Sequence, residues 1–387
     1  MNEHMEIDTP KKIIADNIQL WYNRGQKFFT KDGLRLLAKQ LDKHKEQVLT
    51  GSVLHQTTIR GDNIQTILDI DEGIWKDLRC RHGERRDGLS IYYRPLHMML
   101  SQRDMKFFDL QKAYLSTVIM RPHSHHHHPH HKPALLPPNF SPTELTHLFT
   151  STQQRWETSE QHGYLKKLLT LHRRRLASVT KIVAFACGPL AEGDEASLTQ
   201  HALVLSLQRI IGAIKEEGVE SESESDDAEE EETMGLTQVL GEFWRVLRGE
   251  EREKGKGKGK GKEREEVKNE EEVRCFAQDP AYRPLDQEVL DGAGITVLED
   301  PRAFLEVDDN AFVVSISPNA PVQQIVADLA SPAAIIQLRT GAGADPVSPR
   351  VEEMLSGYMR LELIYHKGLG DVLLYIRREK PRREGTK

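Results

Sequence analysis

Between residues 181 and 338 the chain alternates between two hydrophobic periods, and that alternation leaves few architectures open. KIVAFACG (181–188) is a continuous β-prone run ending in Gly188, the pattern of a strand buried on both faces. Residues 197–200, Ser-Leu-Thr-Gln, have capping-box spacing, and Leu203, Leu207, Ile210, Ile211 and Ile214 then recur on one helical face. VRCFAQDP (273–280) is the next strand, followed by a short helix from Pro284 that Gly292 or Gly294 ends. GITVLED (294–300) and AFVVSIS (311–317) are strands too, with a helix starting at Asp300-Pro301 between them. Asn319, Pro321 and the series Val322, Ile325, Val326 and Leu329 predict another capped helix before the strand AAIIQL (333–338). VLLYI (372–376) adds a last strand, expected at an edge. Such alternation predicts a Rossmann-like α/β fold, a mostly parallel sheet with helices on both faces.

This pattern is interrupted by low-complexity blocks. HSHHHHPHHKPALLPP (123–138) is too rich in His and Pro to pack and reads as a linker. Residues 216–232 are dominated by Glu and Asp with no basic residue, and EEREKGKGKGKGKEREE (250–266) dilutes charge with Gly. Both are expected to be disordered, so residues 216–272 form an insertion in the α/β domain. Inside it, Leu236, Val239, Leu240, Phe243 and Leu247 have helical spacing, which suits either a docked core helix or a partner-binding segment.

The first half is less regular. KKIIADNIQLWYNRG and TKDGLRLLAKQLDKH predict two helices, the second capped by Thr30, and DLQKAYLSTV (109–118) a third. A long amphipathic helix interrupted near Gly163 is expected over 152–176. The domain plan is an N-terminal, mainly helical extension (1–122), a linker (123–140), the α/β domain (141–376) and a basic tail (377–387).

Composition narrows the function. The net charge of -7 argues against a general nucleic-acid binder, because phosphate binding needs concentrated positive charge. Cys80, Cys187 and Cys275 have no paired spacing, which argues against a disulfide framework or zinc ribbon and fits a reducing cytoplasm or nucleus. The N-terminus lacks the apolar core of a signal peptide, and no run is long enough to span a bilayer. RREKPRR (377–383) reads as a nuclear-import signal or a solvated end. The histidines from His125 to His131 could chelate a transition metal weakly, but without fixed geometry they read better as low-complexity drift, and Ser221, Ser223 and Ser225 lie in acidic surroundings suited to an acidophilic kinase.

In an open parallel sheet, ligands bind beyond the carboxyl ends of the strands. The candidate site there comprises Gly188, Ser197, Asp279, Tyr282, Asp300, Ser317 and Asn319, with no catalytic residue, metal ligand or cofactor implied. Asp279 has two readings. As the acidic residue after the second strand it could hold a ribose hydroxyl; alternatively, with Pro280, it ends the strand and fixes the turn. The loop ACGPLAEGDEAS (186–197) lacks GxGxxG, and its acidic residues would repel a pyrophosphate. His201 and Cys187, near the same rim, read as packing rather than a catalytic pair.

The ordered series KIVAFACGPL, SLTQHALVLSL, FAQDPAYRPLDQEVLDGAGITVLEDPRAFLEVDD and SPNAPVQQIVADLASPAAII resembles a fungal member of the SRR-like family, named for sensitivity to red light reduced. FFTKDGL, YYRPLHMM and KAYLSTVIMRPH are similar to the N-terminal extension of such members. The resemblance implies a regulatory role, with associations that include clock and light signalling, cytoskeletal phenotypes and haem-linked control, and no agreed reaction. It also implies a Pro-His-Cys step after the strand ending at Ser317. Here that step reads Pro318-Asn319-Ala320, which has neither a base nor a thiolate at those positions. Two functions are therefore expected: a regulatory or interaction protein with protein partners, or a sensor or enzyme holding an adenosyl or nucleotide-type small molecule.

Overall fold

The computed structural model describes residues 9–46, 52–68, 90–102, 110–120, 140–218, 272–339 and 345–378. The expectations placed on the His-rich linker, on most of the insertion with its 236–247 helix, and on the tail beyond 378 lie outside the described residues.

The chain opens with α1 (Thr9–Asn23) and α2 (Lys31–Glu46), and Thr30 caps the second by accepting the Gly33 N–H at 3.1 Å. A hairpin follows, made of β1 (Ser52–Thr57) and β2 (Asn63–Leu68). Then come β3 (Ser90–Tyr93), α3 (Leu96–Ser101), a 3-10 turn at Leu110–Tyr114 and β4 (Thr117–Met120), which pairs antiparallel with β3. The extension thus mixes helices with two small antiparallel sheets. The helix expected over 109–118 lasts one 3-10 turn, because the branched residues Thr117, Val118 and Ile119 suit a pleated strand better than a helix. Arg94 is fully buried where β3 meets that turn, its guanidinium donating to the carbonyls of Ala113 at 2.9 Å and Leu115 at 3.0 Å.

The α/β part begins with α4 (Pro142–Glu157), α5 (Glu160–Leu171) and α6 (Arg173–Leu176). The break expected at Gly163 falls instead between α4 and α5, where Ser159 Oγ accepts the His162 N–H at 3.2 Å and restarts the helix. A glycine inside a helix costs only about 1 kcal/mol, so the cap decides the boundary. Next come β5 (Lys181–Phe185), α7 (Glu195–Gly218), β6 (Arg274–Gln278), α8 (Pro284–Gly292) and β7 (Ile295–Val297). The chain continues through α9 (Arg302–Glu306), β8 (Ala311–Ser315), α10 (Val322–Leu329), β9 (Ala334–Leu338), α11 (Pro349–Ser356), β10 (Tyr358–Glu362) and β11 (Val372–Arg377). The helix expected to begin with a cap at Ser197 starts earlier, at Glu195, because the Asp194 carboxylate accepts the Ser197 N–H at 3.2 Å.

These strands build a seven-stranded Rossmann-like sheet in the order β10-β11-β9-β8-β5-β6-β7. β7, β6, β5, β8 and β9 are parallel, and β11 runs antiparallel to both neighbours. VLLYI is therefore an interior strand, contrary to the edge expected for it. β10, whose residues alternate between buried and open, takes the edge.

Alternation along the strands divides the core in two. Ile182, Ala184, Cys275, Ala277, Phe312, Val314 and Ile336 face a layer made by α4, α5, α7 and α8. Val183, Phe185, Phe276, Val313 and Ile335 face α9, α10 and the N-terminal extension, which contributes Ile18, Phe28, Phe29 and Met99 to the same cluster. Polar ties fasten the extension there. The Asp328 carboxylate accepts the N–H groups of Phe28 at 2.7 Å and Phe29 at 3.0 Å, and Gln324 Oε1 accepts that of Leu96 at 3.0 Å.

α7 runs from the carboxyl rim to the amino edge of the sheet. Gln208 reaches the level of β6's first residues, where its side chain donates to the Val273 carbonyl at 2.8 Å, and the helix continues to Gly218. Among the described residues, no helix is long and apolar enough to cross a membrane.

Candidate functional site

The crossovers through α7 and α8 lie on one face and those through α9 and α10 on the other, so the winding reverses between β5 and β8. In such a sheet the crevice opens at that reversal, beyond the carboxyl ends of the strands. The seven residues singled out from the sequence fall into three groups around this rim.

The first group comprises Gly188, Ser197, Asp279 and Tyr282. After β5 the backbone turns through two left-handed residues, Ala186 at φ +54° and Gly188 at φ +77°. This turn points the Gly188 N–H at Asp279 Oδ2, 2.8 Å away, while Oδ1 accepts the Ala281 N–H at 2.8 Å. Gly188 also sits so close to α7 that a Cβ there would lie 3.0 Å from Ser197 Oγ. Ser197 Oγ itself donates to the Pro189 carbonyl at 3.0 Å. Asp286, fully buried at the start of α8, accepts the N–H groups of Ala191 at 2.7 Å and Arg283 at 2.8 Å, tying the same loop to that helix.

Behind this loop lies a pair that sequence reasoning did not assemble. His201 is fully buried, with Nδ1 2.7 Å from the Ser197 carbonyl and Nε2 2.7 Å from the Tyr282 hydroxyl. A carbonyl only accepts, so Nδ1 carries the proton and Nε2 accepts from Tyr282. Burial lowers the His201 pKa to about 4 and raises that of Tyr282 well above its usual value, so both groups are neutral near pH 7. The Cys187 thiol beside them is also pushed up by burial, with the Asp279 charge adding to the effect, which removes the thiolate a nucleophile needs. Tyr282→Phe would leave Nε2 without a donor and is expected to cost about 1–3 kcal/mol, measured by urea unfolding; His201→Leu in the same background should then add little from the polar contact.

Asp300 belongs to a second group on the opposite face. It accepts hydrogen bonds from the Tyr93 hydroxyl of the extension and from Gln278 Nε2 at 2.9 Å, and Gln278 Oε1 accepts the Ala303 N–H at 2.8 Å. Burial pushes the Asp300 carboxyl up to about 7, against the two donors, which pull it down. Tyr93 packs edge-on against Phe304, which in turn stacks on Phe185. The extension thus covers this end of the rim.

Ser317 and Asn319 form the third group, exposed on the loop that leaves β8. The far side of the rim is covered by the loop between β10 and β11. Lys367 pairs with Glu195 at 2.7 Å there, and Gly368 lies so close to Thr199 that a Cβ would meet its Oγ1 at 2.5 Å.

Among the described residues, no group of three or more His, Cys, Asp or Glu side chains could hold a metal ion. Comparison with curated proteins and with solved structures found no match. A family model described as the SRR1 domain matches residues 263–336, so the stretch that supplies β6, β7, β8 and the start of β9 is similar to that domain.

Proposed function

We propose that this chain is a regulatory or protein-interaction protein of the SRR-like kind, working through protein partners in the cytoplasm or nucleus, and that the first-crossover end of its rim serves the fold rather than a nucleotide. The observation that carries this reading is the Asp279 carboxylate, each oxygen of which is already aimed at a backbone amide. The N-terminus of α7 supports it as well. A pyrophosphate would lie there in a dinucleotide-binding fold, yet the position is capped by Asp194 and neighboured by Glu192 and Glu195.

Melting curves of the full chain with millimolar ATP, NAD or adenosylmethionine test the reading, because a ligand that binds the native state raises the melting temperature. No rise is expected. Asp279→Ala is expected to lower the unfolding free energy by about 1–3 kcal/mol without any ligand, since it strands two amides. A ligand-induced rise that the substitution abolishes would show that the carboxylate serves a ribose instead.

A second reading, a sensor or enzyme holding an adenosyl or nucleotide-type ligand, draws support from the sheet order. Counting only the parallel strands, β7-β6-β5-β8-β9 is the 3-2-1-4-5 arrangement of doubly wound nucleotide-binding folds. That likeness is one of fold, which hosts many functions.

A further inference from the structure

On the face that packs against the extension, the last residues of neighbouring strands form one row. Gln278 lies beside Phe185, Phe185 beside Ser315, and Ser315 beside Gln337. Gln278 has partners in Asp300 and Ala303. Its counterparts in the row do not: Ser315 Oγ and Gln337 Oε1 are buried without a hydrogen-bond partner among the described residues. Opposed residues on neighbouring strands have Cβ atoms roughly 5 Å apart, so Ser315 and Gln337 are near neighbours that do not bond each other.

The first turn of α10 lies at the same corner, since one short loop joins Ser315 to Val322 and α10 packs on this face through Val322, Ile325 and Val326. Gln323 Oε1, in that turn, is also buried and unpartnered. Asp345, a short way beyond β9, accepts the Gln323 N–H at 2.9 Å through Oδ2 and leaves Oδ1 buried and unpartnered. Four of the eight buried side-chain atoms without a partner among the described residues therefore belong to this corner of the fold. The residues concerned are at least nine-tenths buried, with exposures of 3% for Ser315, 4% for Gln337, 8% for Gln323 and 1% for Asp345.

All four atoms are oxygens. Above about pH 7, where Asp345 has lost its proton, three can only accept, and the serine hydroxyl can turn to accept as well. Leaving a buried acceptor unmet costs about 1–3 kcal/mol, so the corner calls for a donor. Anions are excluded because the oxygens face them with lone pairs. A divalent cation is a poor match, because it needs six or more oxygen ligands and only one carboxylate is present. A primary ammonium group has three N–H donors and no acceptor, and its single charge is met by the single carboxylate. Exposed Ser317 and Asn319, on the loop joining β8 to α10, would give whatever the ammonium carries a way out to solvent.

We propose that this corner between β8, β9 and the first turn of α10 binds a primary ammonium group, as the free ion or as the head of a small amine, through Ser315, Gln323, Gln337 and Asp345. The site is separate from the first-crossover loop and does not depend on the reading of Asp279.

The test is the melting temperature of the full chain in ammonium chloride and in ethanolammonium chloride, with tetramethylammonium chloride at equal ionic strength as the cation that has no N–H. A rise of roughly 2 °C or more is expected with the N–H cations and not with tetramethylammonium. A rise with ammonium alone marks a free-ion site; a rise with both marks an amine head. Gln337→Leu should abolish the rise while leaving the melting temperature in buffer unchanged or higher, because an apolar side chain leaves no acceptor unmet. If that variant does not fold, Ser315→Ala carries the same readout. The proposal is overturned if no N–H cation raises the melting temperature, which would mean the corner holds ordered water only. An equal rise with tetramethylammonium, or one that survives both substitutions, overturns it too.

Discussion

Asp328→Ala is expected to lower the unfolding free energy by about 3–5 kcal/mol, the largest effect of any single substitution considered for this chain. Asp328 is almost wholly buried beneath the turn that joins α1 to α2. One oxygen accepts the two N–H groups of Phe28 and Phe29, and the other pairs with Arg350. Arg350 lies 4.3 Å from the ring centre of Tyr22 and donates to the carbonyl of Gln26 at 3.1 Å, so the same guanidinium also grips the extension. Burial raises the Asp328 pKa, while Arg350 and the two amides pull it back. The carboxylate thus depends on its partners, and they on it. Removing it strands two amides and takes the charged partner from a guanidinium left with carbonyl acceptors alone, against a total stability for ordinary domains of about 5–15 kcal/mol. Urea unfolding of the two proteins side by side measures the difference; a cost under about 1 kcal/mol would mean the tie behaves as a surface pair and that apolar packing alone holds the extension.

A second large effect is a loss of stability with rising pH that Asp300→Asn should remove. The folded pKa of Asp300, about 7, lies above the ordinary value for an aspartate in an unfolded chain. Between about pH 4 and pH 7 the folded form keeps the proton while the unfolded form has lost it, so stability falls across that window and levels off above it. The full drop amounts to about 3–4 kcal/mol. Asp345, also pushed up to about 7 by burial, adds a fall of the same sign, so the variant should retain part of the slope. Asp300→Asn can still accept from Tyr93 and Gln278 through its amide oxygen and has no charge to bury. It should match the natural chain near pH 4 and exceed it at pH 8. Unfolding free energies at the two pH values decide the matter: a variant no more stable than the natural chain at pH 8 would mean that Asp300 ionises in the fold without penalty.

The parallel core was legible because strands buried on both faces read as unbroken apolar runs, as KIVAF and AFVVS do. β10 was not, since YMRLE alternates apolar with charged residues and resembles a loop when its partner is unknown. The small sheets of the extension were hidden for a similar reason, their strands being short and partly polar. One helix start was read with the right chemistry and the wrong residue, since Asp194, three positions before Ser197, supplies the cap, whereas Thr30 caps α2 as expected. At the site, topology alone led to the expectation that Gly188 and Asp279 share one rim, but not to the hydrogen bond between them. Tyr93 on Asp300 did not, because no local signal links residues some two hundred positions apart. A faint sign of the ammonium corner was present in AAIIQL, where one amide interrupts an otherwise apolar strand.

The overrun of α7 has a consequence of its own. From Gln208, level with the start of β6, to Gly218 the helix advances on the order of 15 Å, so its last turns form a spar pointing away from the rim. Charge changed by mutation in the last turns of that spar, at Lys215 or Glu216, would act at the opposite pole. The two ends of the molecule can then acquire separate business, and a change at one need not be felt at the other.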